Sequence, residues 1–184
     1  MNRSRTTLID HLKEQQGWPV VGEAALQAID VLNKALGKEG QKAWRTKHTA
    51  AFGDMVGRLA IAQEATAPKP TGGVVLYDRT VLDNLGYSMQ RGYPLPDYLT
   101  VEVAAQAVSW IDRVLVLDQV ASVEDIERRN RETGRKTDPK ASVAMSAALE
   151  EVYTKLGCRV TRIAKGTTEE RGDAALKAFG HARN

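Results

Sequence analysis

At 184 residues the chain is long enough to bury a core and short enough to be read as one domain, residues 1–184. Its 42% apolar and 27% charged residues exclude a disordered chain, and no apolar run approaches the roughly 20 residues that span a bilayer. A single cysteine, Cys158, excludes an intrachain disulfide, and three scattered histidines leave no zinc spacing.

The N-terminus has no apolar signal segment, so a reducing, cytoplasmic setting is expected. Residues 5–15 carry Leu8, Ile9 and Leu12 at helical spacing, and Gly17 is a suitable stop. Trp18-Pro19-Val20-Val21 reads as a short strand. A helix is expected from Glu23 to Leu36, broken by Gly37 and Gly40. One long helix should follow over 41–66, weakened by Gly53 and Gly57. Residues 67–73 form a loop rich in proline and glycine.

Val74-Val75-Leu76-Tyr77 is the clearest buried-strand signal, and it runs into Asp78-Arg79. Helices are expected over 80–90 and 97–109, then a second strand over 113–118. Residues 122–140 are dense in charge. A helix over 139–156, a strand over 158–163 and a helix over 167–179 complete the chain. Thr167 and Glu170 have capping-box spacing at the start of that last helix. Alternation of this kind predicts an α/β fold: a parallel sheet with helices on both faces, three layers in all.

Four groups of residues could carry chemistry. A phosphate loop needs glycines for close backbone approach, a lysine for the outer phosphates and a hydroxyl for magnesium. Ser4 falls where the last glycine belongs, Arg5 on the lysine, and Thr6 on the hydroxyl, with Thr7 next. The same residues also read as a plain helix N-terminus capped by Ser4. Asp78 stands at the carboxyl end of a buried strand, where ligands bind in open α/β sheets. A carboxylate there can hold magnesium or accept a hydroxyl proton, or simply cap the next helix. Asp83 and Tyr87, four apart, share a helix face and could line an acceptor pocket or pair at the surface. Arg128, Arg129 and Arg135 lie in the densest basic cluster. They fit a lid over phosphates, or a solvated face with local Glu–Arg pairs.

Together these pieces resemble the kinase-like P-loop ATPases of the AAA-type group, which includes nicotinamide-riboside-kinase-like domains. TTLIDHL, VVGEAA, VVLYDRTVLDNLGYS, DRVLVLD, RETGR and RVTRIAKGTTEERGDAAL carry the likeness, which covers nearly the whole chain. VVLYDRTVLDNLGYS is its most specific part. The resemblance implies a P-loop NTPase-like sheet, ATP or GTP with Mg2+, and phosphoryl transfer or hydrolysis to a small-molecule acceptor. By position Thr6 matches the magnesium hydroxyl, and Asp78 the acidic residue of the second strand motif. Arg128, Arg129 and Arg135 match lid arginines.

One departure stands out. The family begins with a central strand and a full glycine-rich loop ending G-K-T-T, and here Ser4-Arg5 replaces G-K. A strand takes about 5 residues and the loop about six before its lysine, more than Met1–Ser4 can supply. The first, central strand is therefore expected to be missing and the phosphate loop truncated or degenerate. Three explanations follow: a longer natural N-terminus, a degenerate relative, or a second chain or homo-oligomer that completes the sheet. The expectation is a nucleotide-binding protein with impaired catalysis. Its rival is a non-catalytic module that docks a phosphorylated or polyanionic partner, with nucleic acid less favoured at a net charge of +3.

Overall fold

The computed structural model describes residues 6–118 and 139–180. Helix α1 (Thr6–Gln16) leads into strand β1 (Val20–Val21). Helices α2 (Ala24–Lys47) and α3 (Thr49–Ala65) form an antiparallel hairpin before β2 (Leu76–Tyr77). Then come α4 (Asp83–Arg91), α5 (Val101–Trp110) and β3 (Arg113–Leu117). Beyond the charged segment follow α6 (Pro139–Lys155), β4 (Arg159–Ile163) and α7 (Thr168–Phe179). No helix among the described residues is long and apolar enough to cross a membrane.

The strands lie in two separate parallel pairs. In the first, Val20 is in register with Leu76 and Val21 with Tyr77. In the second, Arg113 to Leu117 run beside Arg159 to Ile163. The amides of Leu76 and Asp78 donate to β1, at Pro19 O and Val21 O. Alternation along a strand therefore turns the Tyr77 main chain to the opposite edge. On β3 the Asp118 amide donates to Ile163 O, which turns the Leu117 main chain away from β4 in the same manner. Among the described residues, β2 and β3 each keep one edge with no neighbouring strand.

Helices cover both faces of the β3–β4 pair. On one face Leu115 and Leu117 join Leu8 and Leu12 of α1, Trp18, Leu76, and Ala175 and Leu176 of α7. On the other, Val114 and Val160 pack on a larger cluster built from Val81, Leu82, Tyr98, Leu99, Ala107, Leu149 and Tyr153. The first cluster thus draws side chains from both strand pairs. Tyr77 also stacks on Trp110, at 4.5 Å between ring centroids.

Gly37 adopts the non-helical φ 71°, ψ 169° and interrupts α2 as expected, whereas Gly40 lies within the helix that resumes after it. Two boundaries differ from the sequence expectation. The long helix expected over 41–66 is instead divided at His48, whose φ of −122° and ψ of 50° are not helical. Gly57 lies within α3 and admits Tyr98, whose ring occupies the space an added Cβ would need. The expected strand over 74–77 shortens to two residues, because Val74 turns back to bridge with Thr71. The capping box at Thr167 and Glu170 is present as read, with both reciprocal hydrogen bonds formed.

Candidate functional site

The direction of α1 follows from its neighbours. Trp18, just past the C-terminus of α1, packs edge-on against Phe179 at the C-terminal end of α7, with centroids 5.5 Å apart. Closer to their N-termini, His11 lies against Gly172, where an added Cβ would come within 2.7 Å of its ring. The two helices are therefore parallel. Since α7 follows β4 and packs back along it, its N-terminus lies at the carboxyl ends of the strands. The N-terminus of α1, which begins at Thr6, opens at that same edge. A helix N-terminus offers unpaired N–H groups and the positive end of the helix dipole.

Strands β1, β2 and β3 each deliver a polar group to this edge. Glu23 follows β1 and occupies the N-cap position of α2. Asp78 follows β2 and is buried, at 6% exposure. Asp118 follows β3 and accepts from Arg162 Nε at 2.8 Å, while the same guanidinium reaches Glu150 at 2.6 Å. Arg171, in the first turns of α7, is buried, and burial lowers its pKa while Asp118 pulls it back up.

The residues after Asp78 form a tight polar knot. Arg79 is the one non-glycine residue with positive φ among the described residues, at 90°. Its Nη1 donates to Asp83 Oδ2 at 3.1 Å, and its guanidinium lies 5.9 Å from the centre of the Tyr87 ring. Burial works against the Arg79 charge, but Asp83, Tyr87 and Glu23 together outweigh it and hold the group ionised. The Tyr153 hydroxyl of α6 donates to Asp83 Oδ1 at 2.8 Å. That uses its one proton, so the Thr80 hydroxyl must donate to Tyr153 Oη across their 2.7 Å contact. Thr80 Oγ1 in turn accepts from the Leu82 amide at 3.1 Å. From α3, Glu64 accepts the Val81 amide at 2.7 Å. Burial pushes the Glu64 carboxyl up to about 7, with Val81 opposing and Asp83 adding to the shift. Burial beside Asp83 also raises the Tyr153 phenol well above its ordinary value.

The expected site residues therefore fall into three groups. Thr6 and Asp78 come to one edge of the fold. Asp83 and Tyr87 surround Arg79. Asp83 is buried with both carboxylate oxygens engaged inside the knot, so its visible work is to orient Arg79. Ser4 and Arg5, and the lid arginines Arg128, Arg129 and Arg135, lie outside the described residues; the side chains of Thr6 and Thr7 do as well.

Glu64 and Tyr153 were not singled out by sequence reasoning. Glu64 left a faint signal: it is the one charged residue between Arg58 and Lys69, in an otherwise small and apolar helical stretch. Tyr153 left less, beyond the rule that a buried tyrosine hydroxyl finds a partner. No group of three or more His, Cys, Asp or Glu among the described residues could hold a metal. Magnesium does not require one, since it is commonly held by one or two carboxylates together with phosphates and water.

Residues 5–171 fit the model of an AAA domain. No curated protein and no solved structure matches the chain. P-loop AAA domains generally bind nucleotide with Mg2+, and membership points to nucleotide binding and ATPase-like activity. With the match covering most of the chain, the protein belongs to the AAA domain family and carries its P-loop NTPase fold.

Proposed function

We propose that the carboxyl edge of the strands binds ATP or GTP with magnesium and supports kinase-like phosphoryl transfer or hydrolysis. The observation that carries this reading is the convergence of the α1 N-terminus and Asp78 on one edge of the fold. The donor set suits magnesium: a buried carboxylate from Asp78 and the Thr6 hydroxyl, with phosphates and water completing the shell. The metal would neutralise charge on the phosphates and align them. Thr7 and the amides that open α1 would receive phosphate oxygens, as would Ser4 and Arg5. Arg79, oriented by Asp83, would face the acceptor beside Tyr87. Arg128, Arg129 and Arg135 would close over the phosphates as a lid.

The same reading extends to the sheet. The unpaired edges of β2 and β3, with one apolar cluster spanning both pairs, support a missing central strand between them. In P-loop architecture that strand leads into the phosphate loop. Arginine at position 5 is not a neutral exchange for lysine, so turnover is expected to be slow.

The test is release or transfer of the γ-phosphate by the purified chain and by Asp78→Ala. The expected result is magnesium-dependent turnover that falls at least about a hundredfold in the variant, with its circular dichroism unchanged. Full activity in Asp78→Ala would remove Asp78 from the site. Magnesium-independent polyanion binding that falls steeply with salt would favour the non-catalytic docking module instead.

A further inference from the structure

We infer that Glu64 is a positioning residue: its hydrogen bond to the Val81 amide clamps the turn that presents Asp78 and Arg79. The inference rests on the reading of Asp78 as a ligand at the proposed nucleotide edge.

The argument begins with the backbone. Between the last residue of β2 and the first of α4, five residues must reverse the chain inside the core. Val81 and Leu82 are fully buried, so their amides need partners. Neither amide finds a main-chain acceptor there. Leu82 takes the Thr80 hydroxyl, and Val81 takes the Glu64 carboxylate from a helix 17 residues away. Arg79 meanwhile holds a left-handed conformation that an arginine rarely adopts. Such a residue persists only where its surroundings over-determine it.

The determinants come from two sides. From α3, Glu64 fixes Val81. From α6, Tyr153 fixes both Thr80 and Asp83, and Asp83 fixes Arg79. The α6 side is a local hydrogen-bonded set of Thr80, Asp83, Arg79 and Tyr153. Glu64 ties the turn by a hydrogen bond to the helical hairpin between β1 and β2, whose Ala24 and Ala60 share a core cluster with Val81 and Leu82. Loss of its acceptor leaves a fully buried N–H unsatisfied, which the turn can relieve only by moving. Because Val81 is three residues from Asp78, that movement displaces the carboxylate.

The test uses the full chain labelled with 15N, as wild type, Glu64→Ala and Glu64→Gln. Amide exchange of Val81 is read against Leu12 and Leu176, deeply buried residues that report global opening. In Glu64→Ala, Val81 exchange should accelerate about tenfold or more beyond any change at Leu12 and Leu176. Glu64→Gln keeps an acceptor oxygen and should restore protection. Affinity for magnesium and ATP, titrated on the same proteins, should fall in Glu64→Ala and recover in Glu64→Gln.

Val81 exchange that follows the core amides in Glu64→Ala would overturn the clamp. So would faster Val81 exchange with unchanged magnesium–ATP affinity, provided Asp78→Ala loses that affinity. If Asp78→Ala itself changes nothing, the reading of Asp78 fails, and the exchange data alone decide whether Glu64 holds the turn.

Discussion

Arg79, Glu64 and Tyr153 belong to one local problem, which is to hold a charged, left-handed turn inside an apolar core. The proton on Glu64 makes that problem depend on pH. Its carboxyl is raised from 4.5 to about 7, so the native state binds a proton that the unfolded chain has released. Stability from this group is therefore full below about pH 4.5 and declines as pH rises to about 7. Asp83 on α4 and Tyr77 on β2 are the titratable groups coupled to it, and the Tyr77 phenol, raised by burial above its ordinary value, stays neutral in that window. Glu64→Gln, a neutral acceptor, should gain stability over wild type as pH rises from about 5 to 8, measured by urea denaturation at each pH. A difference that does not vary with pH would refute the raised pKa. Gly57→Ala should destabilise the fold by about 1–3 kcal/mol, because the Tyr98 ring occupies the space a methyl group needs. At this scale Asp78 and Tyr87 could be singled out in the sequence because they follow a recognisable strand. It concealed Glu64 and Tyr153, whose partners are 17 and 70 residues away and are joined only by tertiary packing.

Among the elements, legibility followed the locality of the signal. The capping box of α7 needs only residues 167 to 170, and it formed as the spacing required. Thr167→Ala should cost about 1 kcal/mol in thermal or denaturant unfolding, and a cost near zero would show that the cap contributes nothing. The helix division at His48 had no comparable local mark. Neither proline nor glycine stands there, and Gly53, the nearer breaker, is comfortably helical within α3. At Gly37 the break follows from a local signal, since its positive φ is a conformation glycine adopts without strain. The strand after the 67–73 loop shortened for a local reason too: the Thr71–Val74 bridge spends Val74 on closing the loop. Apolar content predicted the position of β2 and β3 but could not reveal which strands pair.

For the whole molecule, the sequence predicted parallel strands with helices on both faces, and the β3–β4 pair has that arrangement. The described strands divide into two parallel pairs, and the proposed central strand would lie between β2 and β3. Edge amides provide a check on the proposed central strand. If nothing covers the edges, Tyr77 and Leu117 amides should exchange quickly, while those of Leu76 and Asp78, bonded to β1, stay protected. Protection of Tyr77 and Leu117 equal to that of Leu76 would mean the gap is filled in solution. The most direct measurement of the central claim is calorimetric titration of the chain with ATP, with magnesium and then with a chelator in its place. The account predicts saturable binding with magnesium that is lost on chelation and lost in Asp78→Ala. Binding that survives both changes would contradict a magnesium–nucleotide site at this edge.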